Sequence, residues 1–277
     1  ENATSLVNEP LPITLVFNPK NAVSCFGGGD GSVVAVASGG TPNYSYNWMP
    51  GNINSDAIFN ISAGTYTISV IDKNNCLAQD SVKIDQPSFP LSVSATSHIN
   101  SCFGGSDGTA TAVVIGGTGR YTYSWLPGNK TGSTISNLQA GTYTVTATDS
   151  KGCTSTSTTV VNEPPEIIIT TSSVEAACYK ANGVAKASVT GGNAPYTYLW
   201  SPVGGTADSA TGLFSGAYTV LVTDAHGCSN SASVNVNDKG IPKPTIFAVV
   251  NVKCYGDSTG SAKVSVSGGS GTYSYQW

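Results

Sequence analysis

The chain has 277 residues, a formal net charge of −4 at pH 7 and only 10% charged residues. It has no basic cluster, which argues against a nucleic-acid partner, and no run of about 18 apolar residues, which argues against membrane insertion. Its 32 glycines and 13 tyrosines, together with abundant Thr, Ser and Val, favour strands and turns over helices.

The sequence repeats itself with a period of about 76 residues, which indicates a tandem array of small domains. Each complete copy carries two cysteines at fixed places. The first opens the motif CFGGGDGS or a variant of it, and these cysteines are Cys25, Cys102, Cys178 and Cys254. The second follows a turn late in the copy, and these cysteines are Cys76, Cys153 and Cys228. Such arrays usually span distance or bind rather than catalyse.

The repeats divide the chain into five segments, and we expect them to belong to a longer array. The predicted segments are 1–10 (the last strand of a preceding repeat), 11–87 (repeat 1), 88–164 (repeat 2), 165–240 (repeat 3) and 241–277 (the first part of repeat 4).

Within repeat 2, alternation of apolar and polar residues predicts six short strands separated by turn residues. These are Leu91–Thr96, Thr109–Ile115, Tyr121–Trp125, Ile135–Leu138, Tyr143–Thr148 and Thr156–Val161. Short strands at this spacing are typical of a β-sandwich.

A recurring aromatic pattern predicts that the sandwich is immunoglobulin-like. A Trp ends the third strand in phase with two tyrosines, and a Gly-x-Tyr motif opening the fifth strand resembles a tyrosine corner. The predicted core residues are Trp48, Trp125, Trp200 and Trp277, with Tyr66, Tyr143 and Tyr218. Aromatic stripes can also bind carbohydrate, but the in-phase positions favour core packing. We therefore expect an all-β chain of tandem immunoglobulin-like β-sandwich repeats, resembling PKD modules, that form an extended rod.

The seven cysteines are interpreted as disulfide staples of an oxidising compartment, because a domain of about 76 residues buries only a modest core. A zinc site is disfavoured, since no CxxC motif occurs and the two histidines do not recur. Two pairings remain open. Pairing within a repeat gives Cys25–Cys76, Cys102–Cys153 and Cys178–Cys228. Pairing between repeats gives Cys25–Cys153 and Cys102–Cys228, and it is favoured if the first and last loops lie at opposite ends of a sandwich about 30 Å long.

The recurring aspartates are interpreted as turn residues. Asp30 and Asp107 could ligate calcium, but Asn182 and Thr259 occupy the equivalent positions, and Asp-Gly is a strong turn signal. Asp72, Asp149 and Asp224 end the fifth strand of each copy, where a carboxylate can accept hydrogen bonds from turn amides. We expect no metal site.

Neither a catalytic constellation nor a cofactor site is expected, since no base recurs beside an activated nucleophile.

One modification is predicted. Asp-Ser followed by an apolar residue or Thr resembles a bacterial O-glycosylation motif, and it marks Ser81, Ser209 and Ser258.

The ordered motifs C-x-G-G-x-D-G-S, S/T-G-G-T, Y-x-Y-x-W, G-T-Y-T-V-x-V-T-D and G-C resemble the SprB repeat family across essentially the whole chain. The resemblance implies a repeat of a very large surface adhesin of gliding Bacteroidetes, exported by type IX secretion and displayed on the outer cell surface. It also implies partners: neighbouring repeats, an extracellular surface or polysaccharide, and gliding and secretion machinery contacted by other regions.

Two further functions stay open beside a disulfide-stapled spacer. One is a polysaccharide-binding module that uses the aromatic residues beside the first cysteines, which are Phe26, Phe103, Tyr179 and Tyr255. The other is a structural protein of a surface matrix, without a role in motility.

Overall fold

The computed structural model describes residues 9–202, 205–269 and 272–277. The strand predicted within residues 1–10 therefore falls mostly outside the described residues. The regular elements in the described ranges are all β-strands. In this part of the chain, no helix is long and apolar enough to cross a membrane.

Among the described residues, each of the first three repeats contains six strands, and repeat 4 contributes two. Repeat 1 has β1 (Thr14–Asn21), β2 (Gly31–Ser38), β3 (Ser45–Met49), β4 (Ala57–Ile61), β5 (Gly64–Ile71) and β6 (Leu77–Ile84). Repeat 2 has β7 (Ser92–His98), β8 (Gly108–Ile115), β9 (Thr122–Leu126), β10 (Thr134–Leu138), β11 (Gly141–Thr148) and β12 (Thr154–Val161). Repeat 3 has β13 (Ile168–Val174), β14 (Gly183–Thr190), β15 (Thr197–Ser201), β16 (Ser209–Leu213), β17 (Gly216–Thr223) and β18 (Ser229–Val236). Repeat 4 has β19 (Lys243–Val250) and β20 (Ser261–Ser267).

The strands of each complete repeat form two antiparallel sheets of three strands. In repeat 2 the sheet orders are β10-β8-β7 and β12-β11-β9, and repeats 1 and 3 have the same arrangement. The first, second and fourth strands thus face the third, fifth and sixth. This matches strands A, B and E against C, F and G of an immunoglobulin sandwich, so the predicted all-β class of tandem immunoglobulin-like sandwiches is confirmed. The six strands predicted for repeat 2 are confirmed within about two residues at each end.

A tryptophan lies at the centre of each complete sandwich. Trp48, Trp125 and Trp200 are at most 1% exposed. Each indole N–H donates to a backbone carbonyl oxygen seven residues later, at 2.9–3.1 Å. Burial of the ring therefore leaves no unsatisfied polar group, which would otherwise destabilise the core.

Trp277 departs from the predicted core role. Its side chain is 79% exposed, and the described part of repeat 4 forms a single sheet of two strands, β19 and β20. A sandwich core needs a second sheet to cover the indole, and in repeat 4 of this chain none is formed among the described residues.

The Gly-x-Tyr motif forms a tyrosine corner in each complete repeat. The hydroxyl groups of Tyr66, Tyr143 and Tyr218 donate to the carbonyl oxygens four residues upstream, at 3.0–3.1 Å. The rings of Tyr143 and Tyr218 are buried, and that of Tyr66 is half-buried. The bond fixes the connection between the two sheets at the start of the fifth strand.

The paired glycines make a turn that only glycine can adopt. Gly116 has φ +72°, and a Cβ atom there would lie 2.0 Å from the carbonyl oxygen of Pro90. The N–H of Gly117 donates to the carbonyl oxygen of Phe89 at 3.1 Å. The turn therefore closes directly onto the segment that enters the first strand of the repeat.

We expect Gly116→Ala to destabilise repeat 2 by about 2–4 kcal/mol, because left-handed strain of about 1–2 kcal/mol adds to overpacking of similar size. Gly152→Ala is the matched control: its φ is +85°, but nothing lies within 4 Å of its Cβ position. Denaturant unfolding of both variants measures the difference. Equal losses of stability would show that the close approach to Pro90 contributes nothing.

By contact density the chain divides into two compact units. One comprises Glu1–His98 and Gly108–Val161, and the other comprises Ile99–Asp107 and Asn162–Trp277. The segment between β7 and β8 thus belongs to the second unit, with repeat 3, although the sandwich of repeat 2 lies in the first. The disulfide and hydrogen bonds described below account for this placement.

Candidate functional site: the joints between repeats

An aspartate organises the late hairpin, which is the turn between the fifth and sixth strands of each complete repeat. In repeat 2 the carboxylate of Asp149, which is 5% exposed, accepts hydrogen bonds from the backbone N–H groups of Thr118, Lys151 and Cys153, each at 2.9 Å. The N–H of Asp149 donates to the carbonyl oxygen of Cys153 at 3.0 Å. The carboxylate thereby ties the second cysteine to the paired-glycine turn.

The same arrangement recurs around Asp72 and Asp224, so the prediction that these aspartates accept hydrogen bonds from turn amides is confirmed. The backbone hydrogen bond from Thr41 is the main cause that lowers the pKa of Asp72. Burial raises the pKa of Asp149 and Asp224, but the backbone hydrogen bonds outweigh burial and hold both pKa values below the ordinary range.

We expect the late hairpins to lose stability only in acid. A carboxyl group with a lowered folded pKa contributes stability above its unfolded pKa of about 4, and this contribution disappears as the pH falls through the folded pKa. The midpoint temperature of thermal unfolding should stay constant between pH 7 and about pH 5. It should decrease once the pH is lower than about 4. Asp149→Asn should lower the midpoint at pH 7 and weaken its dependence on acid. A midpoint that already falls between pH 7 and 5 would contradict this role.

The first loop, which joins the first and second strands and carries the first cysteine, is held by one oxygen acceptor. Asp30 accepts from the N–H of Ser24 at 2.9 Å, Asp107 from Ser101 at 3.0 Å, and the side-chain oxygen of Asn182 from Ala177 at 2.8 Å. Each donor directly precedes the first cysteine. Since the loop needs an acceptor and not a charge, Asn182 replaces the aspartate, which supports the turn interpretation over calcium.

A second anchor of the first loop was missed by sequence reasoning. The side-chain oxygens of Gln86 and Glu163 accept hydrogen bonds from the N–H groups of Gly27 and Gly104, at 2.8 and 2.7 Å. Both residues directly precede a proline, Pro87 or Pro164, in the linker that follows their repeat. This shared position is the sequence feature that could have identified them. The linkers after repeats 1 and 2 therefore help to hold the first loops of those same repeats.

Two disulfides connect first loops to late hairpins of the following repeat. Cys25 of repeat 1 is bonded to Cys153 of repeat 2, with Cα atoms 5.7 Å apart. Cys102 of repeat 2 is bonded to Cys228 of repeat 3, with Cα atoms 5.6 Å apart. Of the two pairings left open by the sequence, the structure has the one between repeats.

The register of the strands explains why pairing within a repeat is absent. In repeat 1 the first loop leads into Gly31, which pairs with Ile61, and β5 begins three residues later at Gly64. The hairpin with Cys76 follows the other end of β5, whose 8 residues span about 26 Å. Disulfide formation needs Cα atoms within about 7 Å, so Cys25 and Cys76 cannot pair in the folded repeat.

Three cysteines have no disulfide partner in this chain. Cys76 and Cys254 are exposed, and Cys178 is half-buried. Pairing between repeats thus bonds four of the seven cysteines of this chain, and it leaves these three without a partner within it. The described residues also contain no group of three or more His, Cys, Asp or Glu side chains placed to hold a metal ion.

The aromatic residue after each first cysteine is exposed. The exposed fraction is 47% for Phe26, 52% for Phe103 and 84% for Tyr179, and Tyr255 is fully exposed. Phe103 lines a cleft of about 440 Å³ beside the Cys102–Cys228 bridge, together with Pro164, Glu166 and Asp224. These rings lie outside the sandwich cores.

The serines predicted to carry glycans differ in accessibility. Ser81 on β6 and Ser258 after Cys254 are exposed, whereas Ser209, which begins β16, is half-buried. Glycosylation at all three positions stays a prediction, testable by glycopeptide mass spectrometry of native material.

The fold and the joints define a tandem array of immunoglobulin-like sandwiches in which disulfides link repeat 1 to repeat 2 and repeat 2 to repeat 3. Four segments, residues 18–52, 96–130, 170–205 and 246–277, match the family model described as the SprB repeat. The chain belongs to the SprB repeat family. A comparison with curated proteins found no significant match.

Solved structures with similar folds are distant from this chain. The N-terminal eight Ig domains of Down Syndrome Cell Adhesion Molecule are 11% identical over 87% of this chain, which covers 49% of theirs, with a TM-score of 0.30. A 1.5-MDa bacterial ice-binding adhesin is 14% identical over 84% of this chain and 99% of the other, with a TM-score of 0.39. Extracellular domains 3–5 of Drosophila OTK are 12% identical over 77% and 92%, with a TM-score of 0.27. These likenesses carry no argument about function.

Proposed function

We propose that the chain is a repeat segment of a very large secreted adhesin on the outer cell surface of a Bacteroidetes bacterium. It acts there as a disulfide-stapled spacer, in adhesion and in gliding motility, after export by the type IX system. Neighbouring repeats are its direct partners, and other regions of the parent protein contact the gliding and secretion machinery. The chain itself carries no catalysis.

The observation that carries this proposal is the pair of disulfides between successive repeats. Disulfides persist in oxidising compartments, which favours an extracellular location. A bond from each repeat to the next transmits tension covalently, which suits a spacer more than an independent binding domain. Membership of the SprB repeat family supports the same surface role.

Live-cell imaging tests the surface role. A fluorescent antibody fragment raised against residues 91–239 is applied to intact cells that make the protein. Label that travels along the cell surface is expected for a motor-driven adhesin. Label that stays fixed would contradict gliding, and label that binds only after permeabilisation would contradict surface display.

A polysaccharide-binding module is the second candidate, favoured by the exposed Phe103 ring beside the open cleft. Exposed aromatic rings can stack on sugars, whereas a spacer does not need them. Glycan-array binding by the chain that is lost in Phe103→Ala, but kept when the exposed Phe59 of β4 is replaced by Ala, would favour this function. Absence of binding would contradict the polysaccharide-binding function and favour the spacer function. Self-association of the purified chain would instead favour a surface-matrix protein.

A further inference from the structure

The unpaired Cys76 lies in a hairpin that matches the two bonded hairpins in detail. The hydrogen bond from the N–H of the cysteine to the aspartate carboxylate is 2.9 Å long at Cys76, Cys153 and Cys228 alike. The return bond, from the aspartate N–H to the cysteine carbonyl oxygen, is 3.1, 3.0 and 2.9 Å long. The late hairpin therefore has the same geometry with and without a bonded partner.

The unpaired Cys178 and Cys254 occupy the other half of the joint. Cys178 directly follows Ala177, whose N–H is held by Asn182 as Ser24 and Ser101 are held by Asp30 and Asp107. After Cys254, a backbone N–H returns to the cysteine carbonyl oxygen at 3.2 Å, close to the 2.9 and 3.0 Å of the bonded loops of repeats 1 and 2. Equivalent cysteines in both positions are bonded elsewhere in this same chain.

We propose a pairing rule for the array: the first-loop cysteine of each repeat bonds to the late-hairpin cysteine of the next. By this rule Cys76 is one half of a joint between two repeats, or a half-joint. It forms a disulfide with the first-loop cysteine of a further SprB repeat on its N-terminal side. Cys178 and Cys254 are the complementary half-joints, which accept late-hairpin cysteines. The rule assigns the same kind of partner to each of the three unpaired thiols, namely the complementary cysteine of another SprB repeat. It does not depend on the role of the array at the cell surface.

Thiol–disulfide exchange with a small disulfide such as oxidised glutathione completes the joint. One protein thiolate attacks the small disulfide and forms a mixed disulfide, which releases the first small thiolate. The second protein thiolate then attacks the protein sulfur of the mixed disulfide, and the second small thiolate leaves. The two protein thiols are oxidised to one disulfide, and the small disulfide is reduced to two thiols. Their two protons pass to the released thiolates or to water.

The test supplies the missing neighbour. The full chain is extended by a second copy of residues 11–87 inserted before residue 11. The added copy carries Phe59→Tyr as a mass marker on an exposed side chain, and Cys76→Ser so that it brings no second hairpin thiol. After incubation with oxidised glutathione, peptides are mapped without reduction. We expect the marked first-loop peptide to be linked to the peptide that contains the original Cys76, with Cys25–Cys153 and Cys102–Cys228 unchanged.

Several outcomes would overturn the rule. These are a Cys76 that stays open to alkylation while the added copy is folded, a bond from Cys76 to Cys178 or Cys254, and displacement of Cys25–Cys153. In the control, the added copy carries Cys25→Ser, and Cys76 should remain alkylatable. A second variant needs no added repeat: Cys153→Ser leaves Cys25 and Cys76 both free in repeat 1. Under oxidation they should not bond to each other, and a Cys25–Cys76 peptide would contradict the rule.

Discussion

Reduction of the disulfides should make the unfolded chain reach about four times farther between Cys25 and Cys228. Without bridges, a taut chain of about 200 residues at about 3.5 Å each spans about 700 Å. With both bridges, the shortest covalent path crosses Cys25–Cys153, runs back along the chain to Cys102, and crosses to Cys228. That path contains about 50 residues and spans about 180 Å. Single-molecule force extension with and without reductant measures the difference of about 500 Å.

The interleaved order of the two bridges is the cause of this result. Each disulfide closes a long loop, with sequence separations of 128 and 126 residues, and the two loops overlap between Cys102 and Cys153. Three segments of the chain, residues 25–102, 102–153 and 153–228, therefore connect the two bridges in parallel. The shortest segment, 102–153, becomes taut first, and the other two carry no tension.

Removal of one bridge provides the matched control. In the double variant Cys102→Ser and Cys228→Ser, the shortest path crosses Cys25–Cys153 and then follows about 75 residues, or about 260 Å. Removal of Cys25 and Cys153 should give nearly the same value, since about 77 residues then separate Cys25 from Cys102. Equal extension of the oxidised and reduced chains would contradict the interleaved pairing.

Trp125→Ala should cause the largest loss of stability of any single core substitution in repeat 2. The indole is fully buried and its N–H is bonded to the carbonyl oxygen of Gly132. Truncation of a buried tryptophan typically costs about 3–5 kcal/mol. Amide hydrogen exchange in β11 should accelerate by about two to four orders of magnitude if it occurs through unfolding of the repeat, while β17 of repeat 3 serves as an internal reference.

Trp277→Ala is the matched control, because the same residue at the equivalent place in its repeat is 79% exposed. Exposed substitutions change stability by about 0.5 kcal/mol or less. A large effect at Trp277, or a small one at Trp125, would show that burial of the indole does not determine its contribution.

Local pattern was enough to predict most of the fold. The alternation that marked Tyr143, Val145 and Ala147 as one face reports a period of two, and all three side chains are buried. The repeat period identified equivalent residues in the three complete repeats. A strand predicted in one repeat therefore predicted the corresponding strand in the other two. Strand ends were less accurate: β7 runs to His98, two residues beyond the predicted end, because its last residues pair with the start of β8.

Roles that depend on the presence of another segment were harder to predict. Trp277 shares the sequence context of Trp125, yet it is exposed, because burial requires a second sheet. Gln86 and Glu163 were missed because nothing in an isolated Gln-Pro or Glu-Pro pair reveals that a glycine N–H of the first loop lies within reach.

The sequence by itself determined the number of repeats, the strands, the buried tryptophans of the complete repeats and the identity of the two cysteine positions, because all of these follow from spacing along the chain. Only the tertiary structure decided which cysteines are bonded. Both pairings satisfy the same sequence pattern, but a strand about 26 Å long separates the two cysteines of one repeat. The first loop of one repeat and the late hairpin of the next instead place their Cα atoms 5.6–5.7 Å apart.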